Sequence, residues 1–268
     1  MLHPRADWAG RVSASRYTED TPMSSLHSPL RNAMPRFMSG QTLLIDADDT
    51  LWENNIYFEQ AIAAFIQHLD HKTYSPMEVR AILNRVEQQN VLEHGYGLHT
   101  FRSSLLRCFE SLSSEPLTPQ REEEIVEFTR VVEDHAIHLL PGVAEALPRL
   151  AAEHRLIVVT KGNLLEQTAK FHRSGMERYF SAIEVVMEKD RDAYASVVAK
   201  YRLEPATTWM IGNSPKSDIN PALDAGLHAV FIAHPNTWVL EHEALHAAPA
   251  GQHCLRVPGF GDLLHVFL

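Results

Sequence analysis

The chain has 268 residues, which is enough for one large domain or for a domain with a smaller one inserted into it. With 45% apolar and 22% charged residues, the composition is that of a globular protein. The formal net charge of −10 disfavours nonspecific binding to nucleic acid or anionic lipid. No apolar run approaches the roughly 18 residues of a membrane span. We therefore predict a cytoplasmic protein with a small-molecule partner, and reduced, buried thiols at Cys108 and Cys254.

Residues 1–40 differ in composition from the rest of the chain. Their arginines are scattered among serines and prolines, and their apolar residues show little periodicity. Such a segment cannot bury enough apolar surface to offset the entropy that is lost on ordering. We therefore predict a mobile N-terminal tail, whose true extent stays open because Met23, Met34 and Met38 are alternative starts.

The short apolar segment 42–45 predicts a buried parallel strand. It stops at Asp46, and two more carboxylates, Asp48 and Asp49, follow within three residues. In open α/β sheets ligands bind at the carboxyl ends of the strands, so this segment indicates a site. The alternative, for this segment alone, is an acidic turn that caps the next helix.

The segment 53–138 is predicted to be all-helical. Apolar residues recur at three- and four-residue steps in four groups, which begin at Phe58, Val79, Phe101 and Ile125. Since no strand pattern lies among these groups, we predict a separate helical domain inserted after the first strand. The loop at Gly95–Gly97 is either a simple turn between helices or a mobile loop that faces the site.

From residue 139 onward, strands alternate with helices. Four more apolar segments of strand length occur at residues 156–159, 183–187, 209–211 and 229–232. This alternation predicts right-handed crossovers and a parallel sheet that is covered on both faces. We therefore expect an α/β core formed by residues 41–52 and 139–268.

Polar residues follow four of the predicted strands. In chain order they are Asp46 and Asp48, then Thr160, then Lys189, and finally Asn213 and Asp218. Because the carboxyl ends of parallel strands converge on one crevice, we expect these side chains to lie close together. A carboxylate nucleophile, a second carboxyl group, a hydroxyl, a lysine and further oxygen ligands suit phosphoryl transfer through an acyl phosphate.

In order and spacing these residues resemble the four motifs of the haloacid dehalogenase-like hydrolase superfamily. The most specific of them is the signature Asp46-x-Asp48-x-Thr50 after an apolar strand, and the resemblance covers about residues 41–268. It implies a modified Rossmann core with an inserted helical cap. It also implies that Asp46 is the nucleophile and that Asp48 is the general acid and base.

The same resemblance implies ligands for the phosphoryl group and for a metal. Thr160 and Lys189 would bind the transferring phosphoryl group, and Lys161 and Lys216 are less favoured substitutes for Lys189. The cofactor would be Mg²⁺, held by Asp46, the main-chain carbonyl of Asp48, Asn213 and Asp218.

The fourth motif departs from the usual pattern of the superfamily. Gly-Asp is common there, whereas this chain has Gly212-Asn213, with Asp218 further on. An asparagine carbonyl still ligates Mg²⁺, but it brings no negative charge, and we expect weaker metal binding. Asp218 must then contribute more of the binding, and the strength of catalysis is open.

Within the superfamily, Asp48 favours phosphorus chemistry over carbon–halogen chemistry, because a halide leaves without needing a proton. We therefore predict a Mg²⁺-dependent phosphomonoester hydrolase that acts on a small phosphorylated metabolite through an aspartyl-phosphate intermediate. The alternatives are a binding or regulatory protein with lapsed catalysis, which Asn213 motivates, a phosphomutase and a dehalogenase. The leaving group and the oligomeric state are left open.

Overall fold

The computed structural model describes residues 40–69 and 73–268. Apart from Gly40, the predicted tail at residues 1–40 lies outside the described residues. Within the described part of the chain, no helix combines the length and the apolar character that crossing a membrane requires.

The core is one parallel sheet, as predicted. Its strands are β1 (Thr42–Ile45), β2 (Arg155–Lys161), β3 (Ala182–Val186), β4 (Thr208–Gly212), β5 (His228–Ile232) and β6 (Cys254–Val257). They lie in the order β3-β2-β1-β4-β5-β6, and every neighbouring pair is parallel. The chain first builds the sheet to one side of β1 and then continues on the other side with β4. This reversal creates a crevice at the carboxyl ends of β1 and β4.

The sequence did not indicate β6. Its Arg256 is exposed and its Cys254 and Leu255 are only half-buried, so it lacks the continuous apolar run of a central strand. Among the described strands it pairs only with β5, at the edge of the sheet. Both cysteines are free thiols, but only Cys108 is buried as expected, because Cys254 lies on this edge strand.

The described residues from 55 to 134, which follow β1, form α1 (Asn55–Leu69), α2 (Pro76–His94), α3 (Leu98–Leu112), α4 (Pro119–Glu127) and α5 (Arg130–Asp134). We refer to residues 55–134 as the helical insert. The prediction of four helices was wrong at the last one, which is divided near Thr129. The buried Thr129 hydroxyl donates to the carbonyl of Val126 (2.7 Å), a type of bond that bends helices. The insert has its own apolar cluster, which includes Phe65, Leu83 and Leu105.

The remaining helices flank the sheet, namely α6 (Val143–Glu153), α7 (Leu164–Ser174), α8 (Arg191–Tyr201), α9 (Asn220–Asp224) and α10 (Leu263–Phe267). On one face, Tyr194 and Val197 of α8 pack with Leu44, Ile157 and Met210 of the three central strands. All five side chains are buried, and burial of each of the four without a hydroxyl group contributes about 1.5–3 kcal/mol. This packing fixes the strand ends that carry the predicted site.

Gly142, which precedes α6, is held in a left-handed conformation with φ of 83°. A Cβ at this position would lie 2.7 Å from the main-chain nitrogen of Gly261. The left-handed conformation alone costs an L-residue about 1–2 kcal/mol. Because the close contact adds to this cost, we expect Gly142→Ala to lower the free energy of unfolding by more than that amount. Urea denaturation measures this loss.

Gly175→Ala is the matched control for this prediction. Gly175 has a comparable φ of 67°, but nothing lies within 4 Å of the position that its Cβ would take. The control therefore reports the conformational cost without the close contact. Equal losses in the two variants would contradict a steric requirement for glycine at position 142.

Candidate active site

Polar side chains from four strand ends line one pocket at the carboxyl edge of the sheet. The pocket has a volume of about 190 Å³, and helices of the insert also contribute to its lining. Each site residue predicted from the sequence lies in this lining: Asp46, Asp48, Thr160, Lys189, Asn213 and Asp218. The parallel sheet thus brings the predicted residues together.

Asp46, Lys189 and Asp218 form a buried ionic centre. The Nζ of Lys189 donates to Oδ1 of Asp46 and, at 2.7 Å, to Oδ1 of Asp218. Burial raises the pKa of Asp46 to about 7, while the ammonium of Lys189 favours the ionised carboxylate and the charge of Asp218 disfavours it. Burial also opposes the charge of Lys189, but the two carboxylates outweigh it and raise the pKa of this lysine. The charged forms of the three groups therefore depend on one another.

Thr50 connects Asp46 with the fourth motif. Its buried hydroxyl lies 3.0 Å from Oδ2 of Asp46 and 3.3 Å from Oδ1 of Asn213. On the other side of the amide, Nδ2 of Asn213 donates to Oγ1 of Thr237 (2.9 Å), whose hydroxyl donates to the carbonyl of His234 (3.0 Å). These bonds orient the amide of Asn213 with its oxygen on the side of Asp46.

Asp48 is held by a separate set of donors. The Nζ of Lys170 lies 2.7 and 2.6 Å from its two carboxylate oxygens, the indole nitrogen of Trp52 donates to Oδ1 (2.8 Å), and Nε2 of Gln167 donates to Oδ2 (2.9 Å). Burial opposes ionisation, but the ammonium of Lys170 and the other donors together lower the pKa of Asp48 below its ordinary value. Asp48 is therefore a carboxylate in this conformation.

The sequence did not indicate the groups that hold Asp48. Gln167 and Lys170 lie on α7, and their positions resemble those of ordinary solvated helix residues.

Lys216, one of the substitutes considered for Lys189, donates to the carbonyl of Leu240 (3.0 Å).

Lys161, the other substitute considered, lines the pocket but contacts different groups. Its Nζ lies 2.6 Å from Oε1 of Glu241 and 2.8 Å from Oγ of Ser217. It also lies 4.6 Å from the ring centroid of Tyr96. Burial opposes its charge, but the carboxylate of Glu241 raises the pKa of Lys161 above its ordinary value. Lys189, rather than Lys161, is the lysine bound to Asp46.

The loop at Gly95–Gly97 both joins two helices and faces the pocket. It lies between α2 and α3, and Tyr96 and Gly97 are part of the pocket lining. The hydroxyl of Tyr96 donates to Oε2 of Glu188 (2.8 Å), and its ring packs edge-on against Trp238. The loop is therefore a turn between helices that also faces the pocket, and its mobility stays a prediction.

The oxygen atoms near Asp46 suit a hard divalent cation. Asp46 and Asp218 supply carboxylate oxygens and Asn213 supplies an amide oxygen, which are ligands that Mg²⁺ accepts. Asp218 packs so closely against Gly212 that a Cβ there would lie 2.2 Å from Oδ2 of Asp218. Glycine at this position leaves the space that Asp218 occupies. These three side chains fit the predicted Mg²⁺ site, for which the family resemblance implies the main-chain carbonyl of Asp48 as a further ligand.

A second group of potential ligands, which the sequence did not indicate, lies beside this site. It consists of Asp49, Glu53 and His234. Each of them offers one potential ligand atom, and these three atoms all lie within 4.8 Å of one another. Asp49 has a positive φ of 60° and accepts hydrogen bonds from the main-chain nitrogens of Asn54 (2.9 Å) and Asn55 (3.1 Å). Burial raises the pKa of Asp49 to about 7. These bonds fix the start of the segment that leads into α1.

The fold and the site together define an α/β enzyme with a buried, lysine-paired aspartate at the end of its first strand. The sequence model of the haloacid dehalogenase-like hydrolases matches residues 41–226, which is more than half of the chain. The chain belongs to this family of hydrolases. No protein of curated function matches the sequence.

Solved structures share the fold over most of its length. A haloacid dehalogenase-like family hydrolase from Xanthomonas campestris is 27% identical, with a TM-score of 0.68 over 84% of this chain and 93% of its own. YfnB from Bacillus subtilis, solved with bound magnesium, is 18% identical (TM-score 0.60; 85% and 98%). The L-2-haloacid dehalogenase from Xanthobacter autotrophicus is 16% identical (TM-score 0.57; 84% and 96%). The similarity to the last two extends to the fold alone.

Asn213→Asp is expected to destabilise the metal-free protein, although it restores the residue that is common in the family. The change removes the N–H group that donates to Thr237 and places a third carboxylate near Asp46 and Asp218. We expect the free energy of unfolding to fall by about 1–3 kcal/mol without Mg²⁺ and to recover partly when Mg²⁺ is added. Urea denaturation with and without the metal measures both effects.

Asn163→Asp is the control for this substitution. The side-chain oxygen of Asn163 accepts hydrogen bonds from the main-chain nitrogens of Leu165 and Glu166 at the start of α7, a position where aspartate serves as well. Its stability should be close to that of the native protein. A similarly stable Asn213→Asp protein in the absence of metal would contradict the proposed role of the amide.

Proposed function

We propose that the protein is a Mg²⁺-dependent phosphomonoester hydrolase that acts on a small phosphorylated metabolite. The observation that carries this proposal is the presence of two carboxylates with different partners in one pocket. Asp46 is paired with Lys189, whereas Asp48 is paired with Lys170. A nucleophile and a separate group for proton transfer are the two functions that hydrolysis through an acyl phosphate requires.

In the first half-reaction, a carboxylate oxygen of Asp46 forms a bond to phosphorus while the bond from phosphorus to the leaving oxygen breaks. The ammonium of Lys189 stabilises the negative charge on the carboxylate and on the phosphoryl oxygens. The hydroxyl of Thr160, at the end of β2, binds a phosphoryl oxygen. Asp48 gives the leaving alkoxide the proton that it took from water in the preceding turnover, and the alkoxide departs as an alcohol.

In the second half-reaction, water attacks the phosphorus of the aspartyl phosphate and the bond to Asp46 breaks. Asp48 takes the proton from this water and the product is inorganic phosphate. The donors from Lys170, Trp52 and Gln167 hold Asp48 as a carboxylate, which is the form that accepts a proton. They also fix its direction, because both of its oxygens are hydrogen-bonded.

The proposed metal would be held by the carboxylates of Asp46 and Asp218, the amide oxygen of Asn213 and the main-chain carbonyl of Asp48. When bound, it supplies positive charge that reduces the repulsion between the nucleophile and the phosphoryl group. Thr50 and Thr237 keep the amide oxygen of Asn213 turned towards this position.

We assign the helical insert the role of a cap that contacts the leaving group. Phe58, Val91 and Phe101 of the insert line the pocket, whereas the strand ends carry the groups that suit phosphate. The domain boundaries predicted above, 53–138 for the cap and 41–52 with 139–268 for the core, belong to this proposal. So do the cytoplasmic location and the absence of nucleic-acid and membrane partners.

Hydrolysis of a carbon–halogen bond is the second candidate, because the Xanthobacter autotrophicus dehalogenase shares the fold. A halide leaves without a proton, so this reaction does not use an acid at position 48. A second carboxyl group in the pocket, Asp48, therefore supports the phosphate ester, whose leaving alkoxide needs a proton.

Asp46→Asn is expected to abolish Mg²⁺-dependent hydrolysis of p-nitrophenyl phosphate, because a neutral amide is a poor nucleophile. Release of p-nitrophenolate by the purified protein is measured over a Mg²⁺ titration. Chloride release from 2-chloropropionate is measured beside it. Asp134→Asn, which makes the same change at an exposed position, should keep native activity.

The outcomes of this experiment separate the candidates. Turnover by Asp46→Asn at the native rate would exclude the aspartyl-phosphate mechanism. Chloride release without phosphate release in the native protein would favour the dehalogenase.

Asp48→Asn is expected to separate the two half-reactions. With p-nitrophenyl phosphate the first one continues, since p-nitrophenolate leaves without a proton, whereas hydrolysis of the aspartyl phosphate slows by roughly 10²–10⁴-fold. Stopped-flow absorbance should therefore show a stoichiometric burst of p-nitrophenolate followed by slow turnover. Linear release at the native rate would show that Asp48 does not transfer the proton.

A further inference from the structure

The pocket is lined by more carboxyl groups than the proposed chemistry uses. Among the described residues, seven carboxylate side chains and three lysines line it. Each lysine already has a carboxylate partner: Lys189 has Asp46 and Asp218, Lys170 has Asp48, and Lys161 has Glu241. The charges of a divalent cation and of a doubly charged phosphoryl group cancel, so binding both leaves the excess of carboxylates over lysines unchanged. The pocket as a whole therefore favours a ligand with a further positive charge.

Among the described residues of the pocket lining, Glu87 of α2 is the one carboxylate with a buried oxygen that lacks a hydrogen-bond partner. Its residue is only 6% exposed, and its Oε2 is buried without a hydrogen-bond partner. Arg80 lies about two turns earlier on the same helix, with its Nη2 at 2.7 Å from Glu59 and its Nη1 buried without a hydrogen-bond partner. The charge of Arg80 only partly offsets the burial of Glu87. The pKa of Glu87 is accordingly raised to about 7.

The other acidic side chains of the lining have donors. Asp49 accepts from main-chain nitrogens at the start of α1. Glu166 accepts from the main-chain nitrogen of Leu98 (3.1 Å). Glu87 differs from both, because no donor among the described residues binds its buried Oε2.

The remaining lining residues suit a donor group at the end of an apolar chain. Oε1 of Gln167 is a second buried acceptor without a hydrogen-bond partner, since the amide nitrogen of this residue is the part that binds Asp48. Phe58, Ile62 and Phe101 supply apolar surface from the insert. Both unpartnered atoms are acceptors, so they call for a ligand that donates hydrogen bonds.

Building on the proposed function, we propose that Glu87 recognises a positively charged amino group on the leaving group, so that the substrates are phosphomonoesters of amino alcohols. The ammonium group donates to the carboxylate of Glu87 in a charge-assisted hydrogen bond. The carbon chain lies against the apolar side chains of the insert, and the phosphoryl group lies at Asp46 and Lys189. Glu87 is thereby a specificity-determining residue that takes no part in the bond-breaking steps.

The test compares two series of ligands, ω-aminoalkyl phosphonates and alkyl phosphonates of equal length, with chains of two to six carbons. Their affinities are measured by isothermal titration calorimetry with Mg²⁺ present. Phosphonates have a carbon–phosphorus bond in place of the ester, so binding is measured without turnover. We expect the amino compound to bind about tenfold more tightly at the best chain length, since a hydrogen bond between charged groups contributes roughly 1.4 kcal/mol or more.

Glu87→Gln keeps the size of the side chain and removes its charge, and it should reduce the ratio of the two affinities to about one. Glu93→Gln makes the same change on an exposed part of α2 and should leave the ratio at the native value. Thermal unfolding of both variants verifies that they are folded. Equal binding of the two ligand series by the native protein, or an unchanged ratio in Glu87→Gln, would overturn the inference.

Hydrolysis of p-nitrophenyl phosphate is measured on the same preparations. Its absence in the native protein would count against the proposed function, and the affinity ratio would still decide the role of Glu87. Hydrolysis without a preference for amino compounds would leave the phosphatase in place and remove the amino-alcohol inference.

Discussion

The site depends on the ammonium of Lys189, which binds two buried carboxylates, Asp46 and Asp218. Removing one partner from such a buried ionic group typically costs about 3–5 kcal/mol, because a charge is left uncompensated. The sheet order sets the geometry: Lys189 follows β3, whereas Asp46 follows β1, with β2 between them. A long side chain is needed to reach across that distance. The fold therefore holds two like charges together only because this lysine lies between them.

Much of the fold could be predicted because buried parallel strands are short apolar segments that stand out between helices. The parts that could not be predicted lie where this signal is weak. β6 has an exposed Arg256 and pairs on one side only. The division of the fourth predicted helix depends on a hydroxyl bond of Thr129, while the apolar periodicity continues past it. Local hydrogen bonding of this kind leaves no trace in an apolar pattern.

The candidate site likewise has a part that could be predicted from the sequence and a part that could not. Asp46, Lys189 and Asp218 could be predicted to meet, since each follows a strand and parallel strands converge at one edge. The partners of Asp48 could not, because Lys170 and Gln167 come from a helix face whose direction depends on tertiary packing. The departure at Asn213 was visible in the sequence. Its explanation, a hydrogen bond to Thr237, required the position of a loop that no local pattern specifies.

Two tryptophans, Trp52 and Trp238, lie at the candidate site. The indole ring of Trp52 is fully buried, and its N–H group donates to Asp48, while Trp238 lines the pocket itself. Indole emission changes with the charge and polarity around the ring. The protein therefore carries one intrinsic fluorophore that is hydrogen-bonded to the candidate proton-transfer group and another in the pocket lining. Binding and proton transfer would be observable by fluorescence without any added label.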